Sequence, residues 1–262
     1  MRIGKQDAPC TAISTSDASS ITVRGHDLCS ALIGKIDFAD YFFLLLMGDC
    51  PTEQQRFFVN ALLVAIAEHG LVPSVQAARM TLAAAPEALQ GAVAAGLLGS
   101  GSVVLGSAEA AGRFLYELVE ASVGGNAREI AAERVRCMRQ AKTPIPGFGH
   151  PQHSGGDPRA NVLLKLADER GLNGPYLAML RTVADVLPEA LGRALPININ
   201  GVIPAILLEI GFPVTAMKSI SILARTASLL AHLQEETQRP IGFVMSHAAA
   251  EAISYDGKKD AD

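Results

Sequence analysis

The chain has 262 residues, of which 49% are hydrophobic, and a formal net charge of -4. This length allows one large hydrophobic core or two modest ones, and the slightly acidic balance gives no electrostatic case for nucleic-acid binding. The 4 cysteines form no CxxC pair, which argues against a disulfide framework or a zinc site and favours a reducing cytoplasm. Residues 1–20 lack the apolar core of a signal peptide. Residues 88–108 are uncharged but rich in glycine, so we expect no membrane span.

In chain order, the sequence first predicts a polar, loosely ordered lead-in over residues 1–20. A short β-like piece, ended by glycine, follows over residues 21–26. An apolar helix is predicted over residues 38–47, with Gly48 at its end. Thr52 is a suitable N-cap for a helix over residues 53–68, and Ser74 is predicted to cap the next helix.

The glycine-rich residues 88–108 predict a buried helix, a turn and a new helix that begins near Gly106. Further helices are predicted over residues 108–122, 127–140, 160–170, 175–187, 202–210 and 215–236, with a break over residues 195–200. The last helix has an apolar face of Ile220, Leu223, Ala227 and Leu230, which recur at helical spacing. Because strand signals are nearly absent, we predict an all-α fold with one domain over residues 21–262.

The segment between two of these helices, residues 144–159, contains closely spaced prolines and glycines and cannot be helix interior. This stiff loop carries two histidines, His150 and His153, with Asp157 and Arg159 at its end. Stiff loops on rigid scaffolds often hold active-site groups. The alternative is a tight connector whose histidines are merely exposed.

Several other polar residues are candidates for an anion site. His69 follows a predicted helix and precedes Gly70, where the helix dipole favours a protonated imidazole, although an ordinary C-terminal histidine is an equal alternative. Arg79 lies in an apolar stretch and either snorkels or binds an anion. Arg225 and His232 are seven residues apart and share a helix face, and Arg239 follows that helix.

These cations and imidazoles, together with His150, form a set suited to a small polycarboxylate. A metal site is the weaker interpretation, because His150 and His153 lack an evident third ligand.

Four motifs in order over most of the chain carry a family resemblance. They are Arg24-Gly25 with Leu28 and residues 38–52, then Glu68-His69-Gly70-Leu71 to Ser74 and Ala77-Ala78-Arg79, then Gly147-Phe148-Gly149-His150 with Asp157-Pro158-Arg159, and finally Ala224-Arg225-Thr226 with Ala231-His232, Glu235-Glu236 and Arg239-Pro240. The chain resembles the citrate synthase superfamily, and within it the short citryl-CoA lyase branch, which resembles the C-terminal module of ATP-citrate lyase. The resemblance implies large and small helical subdomains, the smaller one mobile.

The resemblance also implies roles for individual residues. His150 would hydrogen-bond the hydroxyl of citrate or the carbonyl of oxaloacetate, and His69 would also contact the dicarboxylate. Arg225 would clamp a carboxylate, and Arg239 would reach the site of a neighbouring subunit. Arg79 is a further candidate for substrate binding. The loop that includes Phe148, Gly149, Asp157 and Arg159 would border the coenzyme A groove.

The chain departs from the family pattern at two positions. Leu105 stands at or near a family histidine and cannot polarise a thioester carbonyl. Asn200 stands where the family has a catalytic aspartate, and an amide can hydrogen-bond but cannot transfer a proton. Another acid or water would then supply the proton, and Glu109, Asp157 and Glu68 are the candidates.

The resemblance therefore implies a citryl-CoA lyase that cleaves citryl-CoA to acetyl-CoA and oxaloacetate. The alternatives are an acyl-CoA condensing transferase of the citrate synthase type, and an impaired relative that binds coenzyme A esters or polycarboxylates without turnover. We expect a cytoplasmic homodimer or higher homo-oligomer with no metal and no tightly bound cofactor. The coenzyme A thioester would be a substrate.

Overall fold

A computed structural model of the chain describes residues 9–101, 107–149 and 156–257. These residues form eleven α-helices and three very short strands, so the predicted all-α class is confirmed. By its internal contacts the chain divides into two compact units, Met1–Asn60 and Ala61–Asp262. None of the described helices has both the length and the hydropathy needed to span a membrane.

The first unit begins with an antiparallel sheet of β1 (Ser14–Ser16), β2 (Ile21–Val23) and β3 (His26–Asp27). β1 lies within the segment predicted to be loosely ordered, and it is a strand because its backbone pairs with β2. The β-like piece is in fact a hairpin, since Arg24 and Gly25 have φ of +50° and +83° and form its turn. The Arg24 side chain donates to the carbonyl of Leu45 from Nε at 3.1 Å and Nη2 at 2.6 Å, which fixes this unusual backbone.

Two of the predicted helices follow, α1 (Phe38–Met47) and α2 (Glu53–Ala67), and both predictions are confirmed. Gly48 ends α1 with φ of +94°, a conformation that glycine adopts without strain. Thr52 caps α2 as predicted. Its hydroxyl accepts from the backbone of Gln55 at 3.3 Å, and the Gln55 side chain accepts from the backbone of Thr52 at 2.9 Å, which is a reciprocal capping box.

In the second unit, α3 (Pro73–Ala84) and α4 (Leu89–Leu98) pack against α10 (Met217–Gln238). Their shared core contains Val75, Ala78, Leu82, Ala92, Leu229 and Leu233. The predicted cap at Ser74 is wrong: Val72 is the N-cap, Pro73 takes the first helical position, and Ser74 is buried. A final helix, α11 (Gly242–Ala252), packs on α3 and was not expected from the sequence.

The remaining helices are α5 (Ser107–Ala121), α6 (Ala127–Gln140), α7 (Pro158–Glu169), α8 (Pro175–Leu191) and α9 (Ile199–Glu209). α9 contacts α5, α7 and α8 and buries nearly its whole length, because its sequence is apolar on every side. The predicted break over residues 195–200 is too long. Asn198 is the N-cap and accepts from the backbone of Asn200 at 3.0 Å, so α9 begins at Ile199.

Two glycines allow the stiff loop to lie against the first turn of α9. A Cβ at Gly201 would lie 2.7 Å from the carbonyl oxygen of Gly147 and 3.0 Å from its Cα. Both obstacles are backbone atoms and cannot rotate away. Glycine at position 201 is therefore required for the loop and the helix to touch.

We predict that Gly201→Ala destabilises the protein by about 1–3 kcal/mol, the usual cost of forcing atoms into a packed site. Gly91→Ala in α4 is the matched control, because its Cβ would meet only Ala88 at an ordinary 3.6 Å and alanine favours helix. Urea unfolding of both variants measures the difference. Equal midpoints for Gly201→Ala and the wild type would contradict the close approach.

Candidate active site

Arg225, on α10, is a buried guanidinium whose hydrogen bonds are mostly unmet. It is 2% exposed, and its Nε and Nη1 have no hydrogen-bond partner among the described residues. Its Nη2 makes a long contact of 3.5 Å to the carbonyl of Ile66 near the C-terminal end of α2. Leaving charged donors buried and unpaired is costly, so this arrangement indicates a place for an anion.

The charges around Arg225 support an anion site. Burial lowers the pKa of Arg225, the carboxylate of Glu68 opposes this shift, and the nearby guanidinium of Arg159 adds to it. Two cations that repel each other, one of them with free donors, favour an anion in their neighbourhood. A planar guanidinium binds a carboxylate through two parallel hydrogen bonds.

Glu68 follows the last residue of α2 and is surrounded by donors. Its Oε1 accepts from the backbone N–H groups of His69 at 2.9 Å and Gly70 at 2.5 Å. Its Oε2 accepts from the Ser228 hydroxyl and from Nε2 of His232 at 3.0 Å. Partial burial favours the neutral acid, but these hydrogen bonds outweigh it and lower the pKa of Glu68. Glu68 is thus a carboxylate and a poor candidate for the missing proton donor.

His69 lies at the turn after α2, as predicted, and its side chain is exposed. Through Glu68, the turn that carries His69 is attached to Ser228 and His232 of α10, the helix that also carries Arg225. The structure therefore brings together the acid-His segment and the C-terminal motif.

Arg79, on α3, has its donors engaged inside the protein. It is 2% exposed, and it donates to Glu236 at 2.6 Å, Glu235 at 2.8 Å and the carbonyl of Arg239 at 3.0 Å. Burial disfavours its charge, but the two carboxylates raise the pKa of Arg79 above its usual value. The anions that Arg79 contacts are side chains of this chain, and a direct role in substrate binding stays a prediction.

The loop segment Gly147–Gly149 is bonded to the residues that lead into α9. The backbone N–H of Gly149 donates to Pro196 at 2.8 Å, and that of Asn198 donates to Gly147 at 3.0 Å. The Asn198 side chain also donates to the carbonyl of Gly149 at 2.6 Å. These contacts place Phe148 and Gly149 beside the first turn of α9. The predictions for His150, His153 and Leu105 lie outside the described residues.

Asp157, at the other end of the loop, is fully buried and holds two helix N-termini. It caps α7 and pairs with Arg159 through both oxygens, at 3.0 and 2.9 Å. Its Oδ2 also accepts from the backbone of Ile199, the first residue of α9, at 3.2 Å. Burial opposes ionisation, but Arg159 and these N–H groups lower the pKa of Asp157. Asp157, too, is a poor proton donor.

Asn200 lies in the first turn of α9 and is partly buried. Both described flanks of the loop contact its neighbours, Asn198 and Ile199, so these flanks lie beside the first turn of α9. Glu109, the third candidate acid, is partly exposed on α5 and pairs with Arg113 at 3.4 Å. Arg239, just after α10, is exposed.

The sequence reasoning missed Ser228 and Asn198. Ser228 lies three residues after Arg225 and four before His232, a spacing that places all three on one helix face. Asn198 carries the usual signal of an N-cap, but its bond to the loop depends on the fold. Among the described residues, no three His, Cys, Asp or Glu side chains form a metal-binding group.

Comparisons with known proteins identify the family of this chain. Residues 37–242 match the family model "Citrate synthase, C-terminal domain". Citrate synthase 2 of Bacillus subtilis (strain 168) is 26% identical over 201 residues, which cover 76% of this chain and 52% of that protein. The chain thus spans about half the length of that curated relative.

Solved structures show the same fold. The citryl-CoA lyase of Hydrogenobacter thermophilus has a TM-score of 0.86 and 31% identity, covering 100% of this chain and 97% of that one. The ATP citrate lyase of Methanothrix soehngenii, solved with citrate and coenzyme A, has a TM-score of 0.77 and 21% identity, covering 98% of this chain and 43% of that one. By its matched motifs, its fold and the family model, this chain belongs to the citrate synthase family.

Proposed function

We propose that the protein is a carbon-carbon lyase that cleaves citryl-CoA to acetyl-CoA and oxaloacetate. The observation that carries this proposal is the buried guanidinium of Arg225, which lies near Arg159 and Glu68. Its Nε and Nη1 have no partner within the part of the chain that the structure describes. The full-length similarity to a citryl-CoA lyase at 31% identity supports the choice of reaction.

In this reaction the C3 hydroxyl of citryl-CoA loses its proton and the bond between C2 and C3 breaks. Oxaloacetate leaves with a new carbonyl, and the enolate of acetyl-CoA gains a proton at its α-carbon. Arg225 would hold a carboxylate of the oxaloacetate portion, with His69 and His150 as further contacts. Asn200 would donate a hydrogen bond to the enolate oxygen.

The proton in this scheme would come from water. Glu68 and Asp157 are held as carboxylates by several donors each, and a general acid must be protonated before it acts. Glu109 is already paired with Arg113. Water that carries the hydroxyl proton to the α-carbon balances the reaction without any of these three acids.

A second candidate is binding of the same ligands without turnover, and Asn200 favours it, because an amide cannot act as the acid or base. The condensing reaction, from acetyl-CoA and a 2-oxo acid, uses the same groups and is tested by the reverse assay. Free thiol and oxaloacetate, followed with citryl-CoA or with acetyl-CoA plus oxaloacetate, separate these three activities.

The protein would act as a homodimer or higher oligomer, with coenzyme A thioester and citrate or oxaloacetate as its ligands. Arg239 is exposed just after α10, and α11 beside it exposes Phe243 and Val244. Such residues suit an interface through which Arg239 reaches the neighbouring site. The cytoplasmic location stays a prediction from the cysteine pattern.

Our first functional prediction is that Arg225→Met weakens citrate binding by about 2 kcal/mol or more, the scale of a lost charge-assisted hydrogen bond. Without ligand the same variant should be as stable as the wild type or more so, because it removes a buried charge with unmet donors. Calorimetry with citrate and thermal unfolding without ligand measure the two effects.

Arg181→Ala is the control for loss of a positive charge, since Arg181 pairs with Asp168 at an exposed position. It should leave citrate binding unchanged. A strong loss of stability in unliganded Arg225→Met, with citrate binding intact, would show instead that Arg225 is a structural residue.

The second functional prediction concerns shared sites. Arg225→Ala and Arg239→Ala chains should each be nearly inactive, yet mixing them should restore activity, because some sites then receive both arginines. Random exchange in a dimer would restore about a quarter of the wild-type rate, since half of the dimers are mixed and each has one intact site. Mixing Arg225→Ala with the double variant is the control and should restore nothing. A monomer by light scattering would refute the shared site.

The third functional prediction is that Asn200→Asp raises turnover, because a positioned acid-base group contributes on the order of 10²–10⁴-fold. Asn126→Asp is the matched control: Asn126 caps α6, and aspartate caps a helix equally well. Steady-state rates and thermal-shift titrations with citrate and coenzyme A measure both variants. A wild type that is already a fast lyase would show that another group transfers the proton. An Asn200→Asp variant with unchanged turnover would show that residue 200 takes no part in the reaction.

A further inference from the structure

We propose that Glu68 is a positioning residue, held by a hydrogen-bonded chain from Arg79 through His232, and that it fixes the turn that presents His69 to the substrate. The proposal rests on the proposed function for what His69 contacts. The chain of contacts itself joins α3, α10 and the turn after α2, and it assigns a role to two polar residues, Arg79 and His232, that the reaction scheme leaves unused.

The position of Glu68 is an unfavourable one for a carboxylate. It follows Ala67, the last residue of α2, where the helix dipole is negative and repels a negative charge. The helix therefore gains nothing from an acid here. The carboxylate is maintained by its four donors, which come from Ser228, His232 and the backbone of His69 and Gly70.

The neighbours of His232 determine which of its nitrogens carries the proton. Arg79 Nη1 faces Nδ1 at 3.5 Å, and an arginine can only donate. Nδ1 therefore accepts, the proton is on Nε2, and Nε2 donates to Glu68 at 3.0 Å. Each link polarises the next in the direction that strengthens the bond to Glu68.

Arg79 is a fixed starting point for this series of hydrogen bonds, because its side chain is held in place and stays charged. It is buried, and its Nε and Nη1 are fixed by Glu236 and Glu235 at 2.6 and 2.8 Å. Glu236 is in turn held by the backbone N–H groups of Ile241 and Gly242 at the start of α11. The position of the imidazole is thus set by residues of α3, α10 and α11.

At the other end, Glu68 Oε1 receives the two backbone N–H groups of the turn itself. Gly70 has φ of +71°, one of several conformations that glycine adopts without strain, so the bonds to Glu68 and not the backbone alone define this turn. With its backbone fixed, His69 has a defined place relative to α10 and Arg225. Without Glu68 the N–H groups would bond to water, and the turn would lose its attachment to α10.

The test compares Glu68→Gln, His232→Leu and His232→Gln. In Glu68→Gln an NH2 group replaces one carboxylate oxygen and faces groups that are themselves donors. We therefore expect the KM for citryl-CoA and the Kd for citrate to rise at least about tenfold, with a smaller change in kcat. His232→Leu should have the same effect, and His232→Gln, whose amide can still donate to Glu68, should restore most of the affinity. Glu133→Gln on α6, an exposed acid bonded to Arg136, is the control.

Two spectroscopic measurements do not depend on turnover. The ¹⁵N shifts of His232 should report a proton on Nε2, and the amide proton shifts of His69 and Gly70 should move upfield in Glu68→Gln and His232→Leu. If the wild type does not cleave citryl-CoA but the amide shifts still move in the two variants, the lyase proposal is refuted and the positioning role of Glu68 stands. Unchanged amide shifts and unchanged citrate affinity in Glu68→Gln, or a proton on Nδ1, would overturn the positioning role.

Discussion

The burial of two arginines, Arg79 and Arg225, is the physical constraint on which the region around α10 depends, because each buried charge needs hydrogen-bond partners. Arg79 and Arg225 are equally buried, yet over residues 9–101, 107–149 and 156–257 only Arg79 has carboxylate partners, Glu235 and Glu236. A buried charge with a full set of partners organises a fold, whereas one with unmet donors requires a ligand. The same residue type at the same depth thus differs in its hydrogen-bond partners, and among the described residues the difference lies in the neighbouring side chains.

The stiff loop and the first turn of α9 form a second rigid assembly. Gly147 and Gly201 permit contact between their backbones. Asn198 donates to Gly149 of the loop, and Asp157 of the loop accepts from Ile199 of α9. Both side chains also cap helices, so the same two residues that begin α7 and α9 also join the loop to the turn that carries Asn200. In the proposed reaction, a change of residue at position 200 would alter the chemistry of the site without altering this frame.

The sequence predicted most helices because their signals are local. Apolar periodicity, Gly48 and the Thr52 cap each act within one or two turns of the chain, and the structure confirms them. Ser74 misled the prediction because Pro73 also starts helices and took the first position. The strand at Ser14–Ser16 and the contact of α11 with α3 depend on partners distant in sequence, which local signals do not report.

By itself the sequence determined the all-α class, which follows from helical periodicity and the near absence of strand signals, and its four motifs in order carried the resemblance to the family. It left Arg79 with two possible roles, and it named Glu68 and Asp157 as possible acids. The tertiary structure decided these points, because charge partners such as Glu236 for Arg79, or His232 for Glu68, lie more than 150 residues away. Whether a buried charge is satisfied depends on such distant neighbours, and only the folded chain brings them into contact.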